Sequence, residues 1–154
     1  MVKINWNRVF SGGLLWAVVF NVFWFSAWFI FLRSEWISAI AALGRTFSET
    51  PGGLALWLAL TYVGGSFAIW LYALSSRALS GTAPKRSILV GYGPGARTAA
   101  GVGVLFWLIT DLGPSLWYAH MLGLPTGMVT STLVVGIVAD VVATVVGAWP
   151  YKEE

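Results

Sequence analysis

Asp140 is the residue whose type and position speak first of chemistry. It stands 13 positions after Gly127 and nine before Trp149, in a run otherwise made of apolar and small residues. A carboxylate at such a depth costs about 2.5–3.5 kcal/mol on membrane-insertion scales, so it should face protein or water rather than lipid. Thr132, Gly136, Asp140 and Thr144 recur every four residues, which puts them on one small, polar stripe of a helix. Ala139, Ala143 and Gly147 form an adjoining small stripe, and this face is expected to pack closely on other helices. Asn21, 12 residues before Arg33, lies at nearly the same depth and is the natural partner for Asp140. Its amide can donate to a carboxylate or to a carboxylic acid. Such a pair would be a structural interhelical hydrogen bond, or else a proton-handling or substrate site.

Two more residues invite a chemical reading. Asp111 sits just before Gly113-Pro114, toward the outer end of a third apolar run, where a solvated or capping role is expected. Thr110, Ser115 and Tyr118 nearby can complete a polar patch with it. His120 lies in Trp117-Tyr118-Ala119-His120-Met121, and a neutral imidazole there could ligate haem iron or chlorophyll magnesium axially. Simple solvation is the plainer alternative. The chain has one histidine and no cysteine. That excludes disulfides, thiolate metal sites and a cysteine nucleophile, and leaves no multi-histidine metal centre within this chain. Gly91 to Thr98 looks superficially like a phosphate loop, but it lacks the Gly-Lys-Ser/Thr ending and a preceding strand. An acid–base pair could come only from Asp111 and His120, so no catalytic residues are assigned and an enzyme is not expected. No basic face interleaved with aromatics points to nucleic acid.

The elements that must position these residues follow from composition. Of 154 residues, 58% are hydrophobic and only 10% charged, against roughly 25% charged in soluble domains. So few charges cannot cover a water-facing surface, and long apolar runs identify lipid as the solvent. The reading is an all-α integral membrane protein: one domain, a four-transmembrane-helix bundle with spans at residues 10–32, 53–74, 95–118 and 127–149. The first run is too long for a signal-peptide core of roughly 7–15 residues. Trp24, Trp28 and Phe29 also stand where a cleavage site would want small residues, so the first helix is expected to stay. Between the first two spans, residues 34–45 suggest a short amphipathic helix lying in the interface. Ser34 would cap it, Glu35 would meet the positive end of its dipole, and Gly44 would end it. Trp36, Ile37, Ile40 and Leu43 would share its apolar face. Pro51-Gly52-Gly53 opens the second span, whose Gly64-Gly65 suits close packing, and a basic loop runs from Ser75 to about Gly95. Gly95, Ala99 and Gly103 repeat at four-residue spacing in the third span, another face suited to close packing. Gly113-Pro114 predicts a kink or an early helix end there.

Charge fixes the expected orientation. With four spans, one side carries Lys3, Arg8, Arg77, Lys85, Arg86, Arg97 and Lys152, and the other only Arg33 and Arg45. The positive-inside rule then puts both termini in the cytoplasm. Of the ten tryptophans, Trp6, Trp70 and Trp149 would lie near the inner interface and Trp36, Trp57 and Trp117 near the outer one. Trp16, Trp24, Trp28 and Trp107 lie deeper. Each deep indole N–H needs a partner, and Trp24, Trp28 and Trp107 are candidates for contact with lipid or pigment.

Several segments together resemble a group of short bacterial membrane proteins, commonly seen in acidobacteria and related soil phyla, that carry no assigned activity. They are Asn7-Arg8 with Ser11-Gly12-Gly13-Leu14, Asn21-Val22, Ala42-Leu43-Gly44-Arg45, Trp70-Leu71-Tyr72-Ala73, Gly93-Pro94-Gly95-Ala96-Arg97-Thr98-Ala99 and the closing Ala148-Trp149-Pro150-Tyr151-Lys152-Glu153-Glu154. The resemblance implies a bacterial inner-membrane location and the same topology. It also implies carboxylates in the first and fourth spans; Asp140 fits the fourth, whereas the first has Trp24 where the acid would stand. The leading functional expectation is an accessory or scaffold subunit of a larger membrane complex, respiratory or photosynthetic. It would pack through small and aromatic faces, with bound lipid and with pigment or haem contact. The alternative is a small homo-oligomeric transporter or channel using Asp140. Partners are then membrane lipids and other subunits or further copies of the chain.

Overall fold

The computed structural model describes residues 4–80 and 94–151, and every regular element among them is a helix. Four of these helices are long and apolar enough to cross a membrane, so the chain is a multi-pass, four-helix membrane protein. Residues 81–93 of the expected basic loop, including Lys85, Arg86 and the phosphate-loop look-alike's first glycines, lie outside the described residues, as does the charged tail from Lys152.

The first helix begins where Asn5 caps it, Oδ1 accepting from the Arg8 N–H at 3.3 Å. It runs without a break over Trp6–Ala42, α-helical to Ala27, π-helical over Trp28–Leu32 and α-helical again over Arg33–Ala42. The expected interfacial helix is therefore helical but is not a separate element. Nothing between Trp28 and Ala42 breaks a helix, and Ser34 does not cap. Its hydroxyl turns back to the Phe31 carbonyl at 3.0 Å. The 37 residues would span about 55 Å at 1.5 Å per residue, well beyond a hydrocarbon core of about 30 Å. Gly44 ends the helix region as expected, with φ of +69°, a conformation that costs glycine nothing.

Thr50 starts the second helix. Its hydroxyl accepts from the Gly53 N–H at 3.1 Å, with Pro51 at the first helical position. This helix continues to Ser80, past the expected end at 74. The third helix is α-helical over Pro94–Trp107, π-helical over Leu108–Leu112 and α-helical over Gly113–Leu122. The irregularity expected at Pro114 thus takes the form of a wide turn rather than a helix end. Pro114 has no N–H to return to the Thr110 carbonyl, and π turns absorb such a mismatch. Gly123, with φ of +64°, closes it in a left-handed cap while Leu124 donates to the Ala119 carbonyl at 3.1 Å. The fourth helix follows at once over Thr126–Ala148.

The two halves thus share a plan: a long helix carrying a five-residue π turn, a short link, and an uninterrupted return helix. The first helix packs on the second and the fourth, and the third packs mainly on the fourth. Arg8 reaches the Pro150 carbonyl at 3.4 Å, which brings both chain ends to one face of the bundle. Trp16, Phe20, Ile69, Phe106, Ala139 and Ala143 form the centre of the core. The backbones meet at glycines. A Cβ on Gly12 would lie 2.5 Å from the Gly147 carbonyl oxygen, and one on Gly103 would lie 2.8 Å from the Val141 Cα. Gly95, where a Cβ would meet the Tyr72 hydroxyl at 2.8 Å, and fully buried Ala99 also belong to packed faces. The small-residue faces expected on the third and fourth helices are therefore where those helices touch their neighbours.

Candidate functional site

Asp140 is 0% exposed, in the middle of the face that the fourth helix turns toward the third. Its surroundings are small by sequence: Gly136 lies one turn before it and Gly103 packs on its own carbonyl from across the interface. The neighbouring hydroxyl offers it nothing. Thr144 donates to the Asp140 backbone carbonyl at 2.7 Å and accepts from the Trp16 indole N–H at 3.0 Å, so that hydroxyl is fully engaged. Both Asp140 carboxyl oxygens are without a hydrogen-bond donor among the described residues.

What the carboxyl does face is Asp111. The two carboxyl groups lie close enough to act on each other electrostatically. Asp111 sits in the π turn of the third helix, half-buried, with Oδ1 3.5 Å from where a Cβ on Gly136 would be. The antiparallel arrangement explains the meeting. Side chains lean toward the N-terminus of their own helix, so Asp111 leans inward and Asp140 outward, each toward the other. The glycine at 136 leaves the space, and the Trp107 ring closes it from the side, 3.3 Å from the same point. Trp107 is held in place by its N–H donating to the Leu133 carbonyl at 3.1 Å. On the far side of Asp111 the Thr110 hydroxyl donates to Oδ2 at 2.6 Å.

A carboxylate has acceptors only, so a hydrogen bond between two carboxyl groups requires that one of them carry a proton. The pair can therefore hold one proton between two oxygens at a buried position, as other carboxyl pairs do. Among the described residues no group of three or more His, Asp or Glu could hold a metal ion, which leaves a proton, or a cation ligated by two carboxyls, as the chemistry open to this arrangement.

Asn21 is not the partner of Asp140. It is buried, but between the first and second helices: its amide donates to the Ala17 carbonyl at 2.8 Å and to Thr61 Oγ1 at 2.9 Å, and its oxygen accepts from Trp57 Nε1 at 2.8 Å. Every polar atom of its amide group is taken, so nothing remains for Asp140. Asp111, expected to be solvated or capping, is instead half-buried and turned toward Asp140. The signal that could have found it was Pro114 three residues on, because the wide turn that Pro114 favours carries Asp111. His120 is exposed at the end of the third helix and lies away from the acid pair. Trp24 stacks between Phe20 and Trp57, with ring centres 5.9 and 5.5 Å away, and Trp28 packs on Phe47 at 5.4 Å.

No protein-family model, curated protein or solved structure matches the chain. The site must be read from its own geometry.

Proposed function

We propose that the protein is a small proton-handling membrane protein, a carrier or channel built from several copies, in which Asp111 and Asp140 take up and release a proton within the bilayer. The observation that supports it is Asp140 itself: a fully buried acid with no donor to either oxygen among the described residues and a second acid in front of it. A purely structural polar contact would satisfy its groups, as Asn21 does between the first and second helices, because an unsatisfied polar atom in hydrocarbon costs several kcal/mol. Intramembrane acids are costly and mark ion pathways. One four-helix unit is narrow for a pathway, which favours self-association. Reading the chain as an accessory subunit of a larger complex draws on exposed apolar faces such as Phe29, Ile30 and Val63; lipid alone covers such faces. A bacterial cytoplasmic membrane with both termini inside accords with seven basic residues against two and with the resemblance to short bacterial membrane proteins.

The test is potential-driven proton uptake into liposomes holding the purified protein, followed with an entrapped pH dye. Wild type is expected to acidify the lumen, and Asp140→Asn and Asp111→Asn to fall to about a tenth of that rate or less. Equal rates in wild type, both variants and empty liposomes would overturn the proposal.

A further inference from the structure

At the end of the bundle opposite the chain termini, away from the acid pair, the first helix, the connection that follows it and the start of the second line an open, aromatic-walled chamber of about 610 Å³. Trp24, Trp28, Trp36, Trp57 and Phe47 supply its walls, and Glu49 is the one charged residue in its lining. These rings are all half-buried, and two have their N–H groups committed elsewhere: Trp57 donates to Asn21 at 2.8 Å and Trp36 to Thr132 at 3.3 Å. What those two offer the chamber is therefore carbon and π surface rather than donors. Phe25 and Phe29 belong both to this chamber and to an adjoining apolar groove that descends the first helix past Val22 and Val18 to Leu14, with Leu58 and Tyr62 on its other wall. From Phe29 to Leu14 is about 22 Å along a helix.

We infer that this chamber binds the head of an organic ammonium amphiphile, with its apolar tail in the groove. The occupant follows from charge complementarity. Indole faces attract cations through their ring quadrupole, and aromatic cages are the recurrent way of holding a quaternary ammonium that can donate no hydrogen bond. Glu49 adds the opposite full charge at the mouth. Its present partner is Arg33, whose Nε lies 3.1 Å from Oε1 with both side chains about half exposed. Exposed pairs of this kind hold weakly, so an incoming cation can displace the guanidinium. The groove sets the tail: its lining is mostly apolar and continuous with the chamber, and its polar members Ser26 and Asn21 are turned to other partners, Ser26 donating to the Val22 carbonyl at 2.6 Å and the Asn21 amide donating to Ala17 and Thr61. The inference stands apart from the acid pair, because binding here can succeed or fail whatever Asp140 does.

Tryptophan fluorescence of the full chain in lipid nanodiscs tests it, with hexyltrimethylammonium as the probe. Hexanol (the same tail without charge) and hexylphosphocholine (the same head made zwitterionic) are the comparisons. Saturable quenching by the ammonium is expected, with hexanol at least ten-fold weaker. Glu49→Gln and Trp28→Ala should each weaken binding about five-fold or more, Arg33→Gln should tighten it, and Trp117→Phe, on the exposed face of the third helix, should leave it unchanged. Because Glu49 and Arg33 are surface residues, neither change threatens folding. Equal binding of hexanol would reduce the chamber to an apolar crevice and overturn the inference. Equal or tighter binding of hexylphosphocholine would make it a phospholipid headgroup site instead. Indifference to Glu49→Gln would also overturn it.

Discussion

Gly12 and Gly147 touch backbone to backbone. A Cβ on Gly12 would stand 2.5 Å from the Gly147 carbonyl oxygen, and a Cβ on Gly147 would stand 2.8 Å from that of Gly12. In lipid, where apolar burial between helices supplies little driving force, such close approach is what holds the first and fourth helices together. Gly12→Val or Gly147→Val must push the helices apart and is expected to cost about 1–3 kcal/mol. Gly101 has nothing within 4 Å of a Cβ, so Gly101→Ala should be neutral or gain up to about 1 kcal/mol of helix propensity. Thermal unfolding of all three variants in one detergent checks both halves of the contrast.

Trp16 and Thr144 provide a second test of the same interface. The indole N–H donates to the Thr144 hydroxyl at 3.0 Å in the centre of the core, and valine has nearly the same shape but cannot accept. Thr144→Val should cost about 1–2 kcal/mol, since the buried indole donor is left unpaired. Thr144→Ser should recover most of that. A blue shift in tryptophan emission in the valine variant alone would accompany the loss.

The Asn21 network should be worth less than its three hydrogen bonds suggest. Hydrogen bonds between membrane helices average about 0.6 kcal/mol in double-mutant cycles, because the separated helices also find partners. A cycle between Asn21→Leu and Trp57→Phe is expected to give a coupling of about 0.5–1.5 kcal/mol. A coupling indistinguishable from zero would mean that the 2.8 Å contact between them carries no energy of its own.

Topology can be checked with the chain's own lack of cysteine. Single cysteines at Ser48, between the first two helices, and at Ser87, in the central connection, give unambiguous labels. With both termini inside, a membrane-impermeant maleimide should reach Ser48→Cys in intact cells and Ser87→Cys only after permeabilisation. The reverse pattern would turn the molecule over and set the rule of positive charge aside for it.

The helices themselves could be read from the sequence because lipid imposes a single simple demand, a run of about 20 apolar residues. Their ends could not. The Arg33-to-Ala42 segment looked like a separate interfacial helix because Arg33, Ser34 and Glu35 resemble a boundary. Polar residues do not stop a helix unless the backbone has a reason to turn, and none arises before Gly44. The acid pair was half legible. Depth picked out Asp140, but the choice of Asn21 as partner rested on equal depth alone, and depth says nothing of which helix faces which. The first and fourth helices do pack together, yet Asn21 points to the second. Helix counting gives Asp111 a solvated or capping role and does not turn it toward the fourth helix. A π turn shifts the register of the helix it interrupts, and counting at 3.6 residues per turn does not see it.

Asp140→Asn should separate stability from function. At Asp140 the wild-type carboxyl has no donor to either oxygen and faces Asp111. An asparagine of the same size would present its amide N–H groups to the Asp111 carboxyl, a fixed donor in place of the shared proton. The variant is therefore expected to match the wild type in stability to within about 1 kcal/mol, the scale of one hydrogen bond. It also removes a site that can bind and release a proton. A carboxylic-acid C=O band in the infrared spectrum of the wild type, lost in Asp140→Asn at undiminished thermal stability, is the expected result. If the variant instead unfolds several degrees earlier, Asp140 is a structural acid whose partner only a carboxyl can satisfy. Asp140→Leu is the companion measurement, since it leaves Asp111 facing hydrocarbon alone and should destabilise by about 1–3 kcal/mol. A gain in stability there would mean that Asp111 turns away to water once its partner is gone.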